Sequence, residues 1–226
     1  MRISRESLKE RVKQQLLERL MNGFYPPGER LVETVLAEEF GTSPIPVREA
    51  LLELTAMRLV DSESYKGVRV RSFSNREIRE AYEVRAVLEE FAAKRAARVL
   101  KGDTKSLRHL LRQMVEAARK NDFKAYLNSD LPFHRLIVAA SGNTHLLRTW
   151  DELGFQIRAH LFLTRDNSDL LEIAHLHPPI VEALDAGDGR RAATLLRDHS
   201  QKFAEELTSM EANELRHQPA NALANI

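Results

Sequence analysis

The chain has 226 residues, of which 43% are apolar and 30% are charged, with eight histidines and no cysteine. This length suffices for two domains, and the absence of cysteine excludes disulfides and thiolate metal sites. No apolar run reaches membrane length and the charged N-terminus does not resemble a signal peptide, so we expect a cytoplasmic protein without a membrane partner. The net charge of +1 does not by itself indicate a nucleic-acid partner.

The centre of the N-terminal part is a predicted pair of helices joined by a tight turn. A short helix is predicted over residues 32–40, and Gly41 suits the left-handed residue that closes a helix. Thr42 or Ser43 can cap a second helix over residues 44–58. The apolar stripe of that helix consists of Val47, Ala50, Leu51, Leu54 and Met57. The pattern predicts a helix-turn-helix, whose second helix places its N-terminal residues in a DNA groove.

Further elements surround this pair. An amphipathic helix is predicted over residues 5–22, and two short strands are predicted at residues 59–61 and 68–70. Lys66 and Gly67 lie near the tip of the loop between the strands. Glycine lets the main chain approach closely, so this loop suits contact with a phosphate backbone. It is equally compatible with a plain surface hairpin.

Five motifs occur in this region: Pro27-Gly-Glu-Arg-Leu31, Leu36-Ala-Glu-Glu-Phe-Gly41, Pro46-Val-Arg-Glu-Ala-Leu51, Leu59-Val60 and Gly67-Val-Arg-Val70. Over residues 5–72 they resemble the winged helix-turn-helix of the GntR family of bacterial transcription regulators. We therefore expect DNA contacts from Thr42, Ser43, Arg48, Lys66 and Gly67. Family members often have an Arg that reads a guanine where this chain has Pro44, so the resemblance does not assign a base preference.

The rest of the chain is predicted to be an all-α bundle of six or seven helices. Ser74 and Glu77 form a capping-box pattern that starts its first helix. Helices are predicted over residues 75–101, 103–120, 122–140, 143–165, 170–186 and 188–212. The expected fold is mostly α, with a winged helix-turn-helix domain in residues 1–72, a helical effector-binding and dimerisation domain in residues 73–212 and a flexible tail in residues 213–226.

Four polar residues interrupt the apolar stripes of this predicted bundle. Asp130 and His134 are four residues apart and share one helix face. His177 and His199 each fall on the apolar stripe of a later helix. A buried carboxylate needs a cation or donors, and neutral imidazole is the commonest metal ligand. One divalent metal satisfies all four residues together, although each histidine alone is more often a hydrogen-bonded core residue.

Oxygen and imidazole ligands suit zinc, nickel, manganese or iron, and we expect zinc. His175 is a rival ligand because it is near His177, although it lies off the stripe. Open positions on the ion can accept the carboxylate of a small organic acid. Arg85 suits a further contact to that carboxylate through its bidentate guanidinium, and Arg158 is a second candidate. Either arginine can instead form a structural salt bridge.

This half also contains distinctive motifs: Glu83-Val-Arg85 with Leu88-Glu89, Asp130-Leu-Pro-Phe-His134, Ala140-Ser-Gly-Asn143, the stretch from His177 to Asp188, and His199. Over residues 75–210 they resemble the FCD effector domain of the FadR subfamily of GntR regulators. The resemblance implies that Asp130, His134, His177 and His199 hold a metal ion, as in the metal-binding branch of that family. Pro132 between two ligands is unusual and predicts a kink that shifts Asp130 relative to His134.

We therefore expect a DNA-binding repressor, not an enzyme, whose operator binding is controlled by a small carboxylate beside the metal. A homodimer would place two recognition helices about 34 Å apart and require a palindromic operator. The alternatives are a metal sensor in which the ion is the signal, a metal-dependent enzyme with an accessory domain, and a purely structural metal. The enzyme is disfavoured because no general base or nucleophile is evident beside the four ligands.

Overall fold

The computed structural model describes residues 7–21, 24–63, 67–153 and 169–217, and these residues are mostly helical, as the sequence predicts. Contacts between Cα atoms divide the chain into two compact units: the first holds the residues up to Ser72 together with the described residues 151–153, and the second holds the other described residues from Phe73 onwards. None of the described helices combines the length and the apolar composition that a membrane span requires.

The first unit combines three described helices with a small antiparallel sheet. Its elements are α1 (Leu8–Met21), β1 (Arg30–Leu31), α2 (Glu33–Glu39), α3 (Pro44–Ala56), β2 (Val60–Glu63) and β3 (Gly67–Val70). The strand order is β1-β3-β2, and β3 pairs with both neighbours. The winged helix-turn-helix is thereby confirmed. The sequence did not predict β1, because two residues are too short for an alternating pattern to be visible.

The turn between α2 and α3 follows the prediction only in part. Gly41 has a φ of 61°, the left-handed conformation expected of a residue that closes a helix. Ser43 is the N-cap of α3 and Pro44 its first residue, but no side-chain capping hydrogen bond forms there. The predicted capping by Thr42 or Ser43 is therefore wrong. The physical reason is that Pro44 and Pro46 remove two of the three backbone N–H groups that a cap could satisfy.

The core of the first unit forms where α1 packs against α3. The predicted stripe on α3 is buried from Val47 to Leu54, whereas Met57 is half-buried at the end of the helix. The opposite side of α3 is exposed and presents Ile45, Arg48 and Leu52. The burial of one side therefore fixes which residues of α3 can meet a partner.

The second unit is helical throughout its described part. Its elements are α4 (Asn75–Leu100), α5 (Lys105–Arg119), α6 (Phe123–Ala140), α7 (Thr144–Glu152), α8 (Leu170–Ala174), α9 (Pro178–Ala186) and α10 (Gly189–His217). The capping box at the start of α4 is confirmed, since Ser74 Oγ accepts from Glu77 N–H at 3.2 Å and a Glu77 carboxylate oxygen accepts from Ser74 N–H at 3.1 Å.

Two predicted boundaries differ from the structure. The helix predicted over residues 143–165 is described as α7 up to Glu152, and residues 154–168 lie outside the described residues. The last helix, α10, continues to His217, past residue 213 where the flexible tail was predicted to begin. The weak amphipathic pattern of that segment hid its helical continuation, because periodicity reports burial of one face and not helicity itself.

Helices α4 and α10 pack closely along their length. Both helices have small buried side chains: Ala92, Ala93, Ala96 and Ala97 on α4 and Ala192 and Ala193 on α10. At Gly189 even a Cβ atom would come within 2.9 Å of the carbonyl oxygen of Lys94. The close approach brings His199 of α10 into the same interior as the polar residues of α6.

Candidate metal centre

Helix α6 contributes Asp130 and His134, which lie one turn apart on its buried face. They are 5% and 0% exposed, and His134 Nε2 lies 3.7 Å from Asp130 Oδ1. Pro132 lies on the exposed side of the helix, where water can satisfy the carbonyl group that loses its helical N–H. Both side chains reach the same site.

His177 reaches the site from the end of a turn and not from within a helix. The sequence predicted one helix over residues 170–186, but the structure has α8 and α9 with His177 as the N-cap of α9. Pro178 and Pro179 lack the N–H groups that a continuous helix would need, so the helix stops and restarts there. The ring Nδ1 donates to the carbonyl oxygen of Ile173 at 3.1 Å.

His199 completes the site from α10. Its ring centroid lies 5.1 Å from that of His134 and 4.7 Å from that of His177. Its Nδ1 is buried and has no hydrogen-bond partner among the described residues. The rival ligand His175 is exposed, so the preference for His177 over His175 is supported.

The four-residue cluster of Asp130, His134, His177 and His199 is compact and buried. One ligand atom from each residue lies within 4.8 Å of the other three. His177 Nε2 is 3.1 Å from Asp130 Oδ1 and 3.3 Å from His134 Nε2. Tetrahedral ligands placed at zinc–nitrogen distances are about 3.3 Å apart. The spacing in the cluster, together with the unpartnered Nδ1 of His199, therefore fits a metal ion.

Glu89, which is fully buried on α4, orients His134 by a hydrogen bond to the ring nitrogen that faces away from the other ligands. One of its carboxylate oxygens accepts from His134 Nδ1 at 2.8 Å. The other accepts from Arg85 Nε at 2.8 Å and from the indole N–H of Trp150 at 2.9 Å. A carboxylate that accepts from a ligand imidazole fixes its tautomer and raises its basicity. The sequence analysis missed this role, although the four-residue spacing of Arg85 and Glu89 was an available signal.

The electrostatics favour the protonation states that bind a metal. Burial alone would raise the pKa of Glu89, but Arg85 and His134 lower it to about 2. Burial also raises the pKa of Asp130, but its interactions with His134, His177 and Arg85 outweigh burial, so that this pKa lies below its usual range. Burial lowers the pKa of His134 and lowers that of His199 well below its usual value. Ionised carboxylates and neutral imidazoles are the metal-binding forms.

Two further polar groups lie beside the cluster. Arg85 is 2% exposed, and its Nη2 is 4.0 Å from an Asp130 carboxylate oxygen. Tyr126 precedes Asp130 by one turn of α6, and its buried hydroxyl has no hydrogen-bond partner among the described residues. Burial raises the pKa of Tyr126 well above its usual value, so the hydroxyl remains a donor. The sequence analysis did not single out Tyr126, and Arg158 lies outside the described residues.

The predicted DNA-contacting residues lie around the start of α3 and at the wing. Ser43 and Arg48 are exposed, and Thr42 is partly exposed. The Arg48 guanidinium is paired with Glu33, with Nη2 at 2.7 Å and Nε at 2.8 Å from one carboxylate oxygen. Gly67 begins β3 with a φ of 83°. Lys66 lies outside the described residues.

Comparison with known families decides which class this architecture belongs to. The model for bacterial regulatory proteins of the gntR family matches residues 8–70, and the model for the FCD domain matches residues 80–202, which is more than half of the chain. The chain belongs to the GntR family. The resemblance seen in both halves of the sequence is thereby confirmed.

Relatives of this GntR-family regulator agree with the match. It is 33% identical over 198 residues to the "Probable D-xylose utilization operon transcriptional repressor" of Paenarthrobacter nicotinovorans, with 88% of each chain covered. It is 32% identical to the transcriptional repressor GlaR of Escherichia coli (strain K12), with 80% of this chain and 86% of the relative covered. The solved structure of E. coli McbR/YncC has a TM-score of 0.75 at 26% identity and covers 91% of this chain, with 99% of its own chain covered.

These matches bear on the functional class as well as the fold. The two matching families and the relatives named above are transcription regulators and not enzymes. This GntR-family regulator is therefore a DNA-binding protein, and the alternative of a metal-dependent enzyme is set aside. GntR regulators bind operator DNA, which assigns the first unit its role.

Proposed function

We propose that this GntR-family regulator is a cytoplasmic repressor that binds a divalent metal ion through the four-residue cluster and leaves its operator when a small carboxylate binds beside the ion. The observation that supports the metal is that lone pairs of His134, His177 and Asp130 point at one another. Carbonyl and carboxylate oxygens can only accept, so His134 and His177 carry their protons on Nδ1. Their Nε2 lone pairs and Asp130 Oδ1 then face one another across 3.1–3.7 Å. A cation between them removes the repulsion.

Zinc is the metal proposed first. Three imidazoles and one carboxylate suit zinc, and they also suit nickel, manganese and iron. The chain has no cysteine, so sites built from thiolate ligands are excluded. The ion would supply a position at which a carboxylate oxygen can coordinate, since zinc expands from four to five ligands. Two ligands would come from α6, one from α10 and one from the turn before α9, so metal binding would also tie these segments together.

The proposed effector is a small organic acid. Arg85 is a planar donor beside Asp130, and such a fork suits a carboxylate. The buried hydroxyl of Tyr126 supports a second polar contact, because a buried donor without a partner is costly unless a ligand or water meets it. Arg158 remains a proposed further contact. A carboxylate bound to the ion, Arg85 and Tyr126 would have its charge neutralised within a buried site.

DNA contacts are proposed for Thr42, Ser43 and Arg48 at the start of α3 and for Lys66 and Gly67 at the wing. Arg48 is accessible for this role, since 61% of its side chain is exposed. An exposed ion pair such as the one with Glu33 contributes little to stability. The guanidinium can therefore exchange Glu33 for a phosphate or a base edge when DNA arrives.

A homodimer is proposed through one face of α4. Val84, Val87 and Phe91 lie on this face and are 44%, 66% and 48% exposed. The C-terminal end of this face is basic, with Lys94, Arg95 and Arg98, whereas Glu80 and Glu83 at its N-terminal end pair with Arg76 and Arg79 of the same helix. Two antiparallel copies of α4 would bury the apolar centre and set Glu80 and Glu83 of one copy against the basic end of the other. Such a dimer presents two α3 helices and so requires a palindromic operator.

The test measures operator release. A duplex is selected from a random pool with the zinc-loaded full chain, and its binding is followed by fluorescence anisotropy while lactate, malate or citrate is added at fixed free zinc. We expect at least one acid to weaken operator binding of the wild type and of the His175→Ala variant. The same acid should leave operator binding of the His177→Ala variant unchanged. If none of a wider panel of carboxylates changes binding, the effector proposal is wrong. If zinc alone controls binding, the protein is a metal sensor.

A further inference from the structure

We infer that Ile45 reads the operator through the 5-methyl group of a thymine, and this inference rests on DNA binding by α3. Ile45 is the second residue of α3, and 65% of its side chain is exposed. It lies on the side opposite the buried stripe of Val47, Ala50 and Leu51. The N-terminal residues of a recognition helix are those that meet base edges in the major groove. A large apolar side chain therefore stands where bases are read.

The backbone around Ile45 offers few polar groups that could serve instead. Pro44 and Pro46 flank it, and neither has an N–H group. Of the first three residues of α3, only Ile45 keeps a backbone donor. A helix N-terminus binds phosphate through such donors, so this one is poorly equipped for an anion. The first turn of α3 thus presents a mainly apolar surface to its partner.

The next exposed residues on this side, Arg48 and Glu49, are charged. In the absence of DNA, Nε and Nη2 of Arg48 lie within 2.8 Å of a Glu33 carboxylate oxygen, and DNA can displace Glu33 from this exposed pair. Ile45 therefore supplies the apolar contact at the tip of the helix. In the major groove the apolar group that distinguishes one base from the others is the thymine methyl. Ile45 and a thymine are complementary on these grounds.

The test removes that methyl group and nothing else. The full chain enriches duplexes from a random pool, and the enriched duplex is resynthesised with deoxyuridine in place of one thymine at a time. We expect one position in each half-site to weaken binding about fourfold, which corresponds to burial of one methyl group at about 0.8 kcal/mol. Replacement at other thymines leaves the affinity unchanged.

Two variants assign the effect to a residue. Ile45→Ala is expected to bind the thymine and deoxyuridine duplexes equally, and its exposed position leaves folding unaffected. Leu52→Ala is the matched control, because Leu52 is 62% exposed on the same side of α3; it should keep the fourfold difference. Enrichment without any dependence on thymine methyls, or a dependence that persists in Ile45→Ala, overturns the inference alone. Failure to enrich any duplex overturns it together with DNA binding.

Discussion

Nδ1 of His134 lies 2.8 Å from a carboxylate oxygen of Glu89, and both side chains are 0% exposed. Because the carboxylate can only accept, the imidazole keeps its proton on Nδ1 and turns the Nε2 lone pair towards Asp130 and His177. Glu89 in turn is held by Arg85 and Trp150. The buried carboxylate of Glu89 on α4 therefore fixes the tautomer of His134 on α6.

Replacing Glu89 should weaken metal binding without removing a ligand. Glu89→Gln keeps the shape but loses the charge that fixes the tautomer of His134, so we expect zinc affinity to fall by about 10-fold to 100-fold. Competition with a chromophoric chelator measures it. Glu90→Gln is the control, because Glu90, which is 28% exposed, pairs with Lys94 on the same helix and lies 4.0 Å from Arg197. Equal zinc affinity in the two variants would show that Glu89 does not act on the site.

Removing the metal should lower thermal stability. An ion that binds only the folded chain adds about 2.7 kcal/mol at a hundredfold excess over its Kd. We expect a chelator to lower the Tm of the zinc-loaded wild type and of His175→Ala by several degrees, measured by differential scanning calorimetry. His177→Ala should not respond to the chelator. A wild-type Tm indifferent to zinc and chelator would argue against a site formed on folding.

Acid should destabilise the metal-free protein. Burial lowers the pKa of His199 well below 6.5, and burial also lowers that of His134. As the pH falls through the unfolded value of about 6.5, the unfolded chain takes up protons that the folded chain does not, so folding stability decreases. Urea midpoints measured from about pH 8 to about pH 5 should therefore fall, and fall less in His199→Phe. A midpoint that rises on acidification would contradict these shifts.

The face of α4 can be tested with a pair of matched valines. Val87 and Val99 are 66% and 67% exposed, but they are about 120° apart around the helix. We expect Val87→Glu to shift sedimentation equilibrium from dimer to monomer, because it places a charge in the apolar centre of the proposed interface. Val99→Glu should remain dimeric. If both variants keep the wild-type mass, the dimer uses another surface.

Periodicity located most of the fold and of the candidate site. The stripe of α3 and the inward positions of Asp130, His134, His177 and His199 could be predicted because apolar spacing reports which side of a helix is buried. The break between α8 and α9 was missed although Pro178 and Pro179 were visible in the sequence. The helical spacing of Ile173, His177 and Ile180 continues across the two prolines. The prediction followed this spacing and gave too little weight to the N–H groups that the prolines lack.

The role of Glu89 could not be predicted in the same way. A charged residue on an inward position is ambiguous in sequence, because its partner comes from a helix that is distant along the chain. Glu89 meets His134 and Trp150 only after α4, α6 and α7 have packed. The two-residue strand β1 was missed for a related reason, since its pairing of Leu31 with Val68 is a tertiary contact.

X-ray absorption at the zinc edge of the loaded full chain tests the central claim most directly. The account predicts one zinc per chain, bound by three imidazole nitrogens at about 2.0–2.1 Å and by carboxylate oxygen at about 2.0–2.2 Å. His175→Ala should give the same spectrum, and His177→Ala should lose one imidazole contribution. A spectrum without imidazole scattering, or one that is unchanged in His177→Ala, would contradict a metal held by Asp130, His134, His177 and His199.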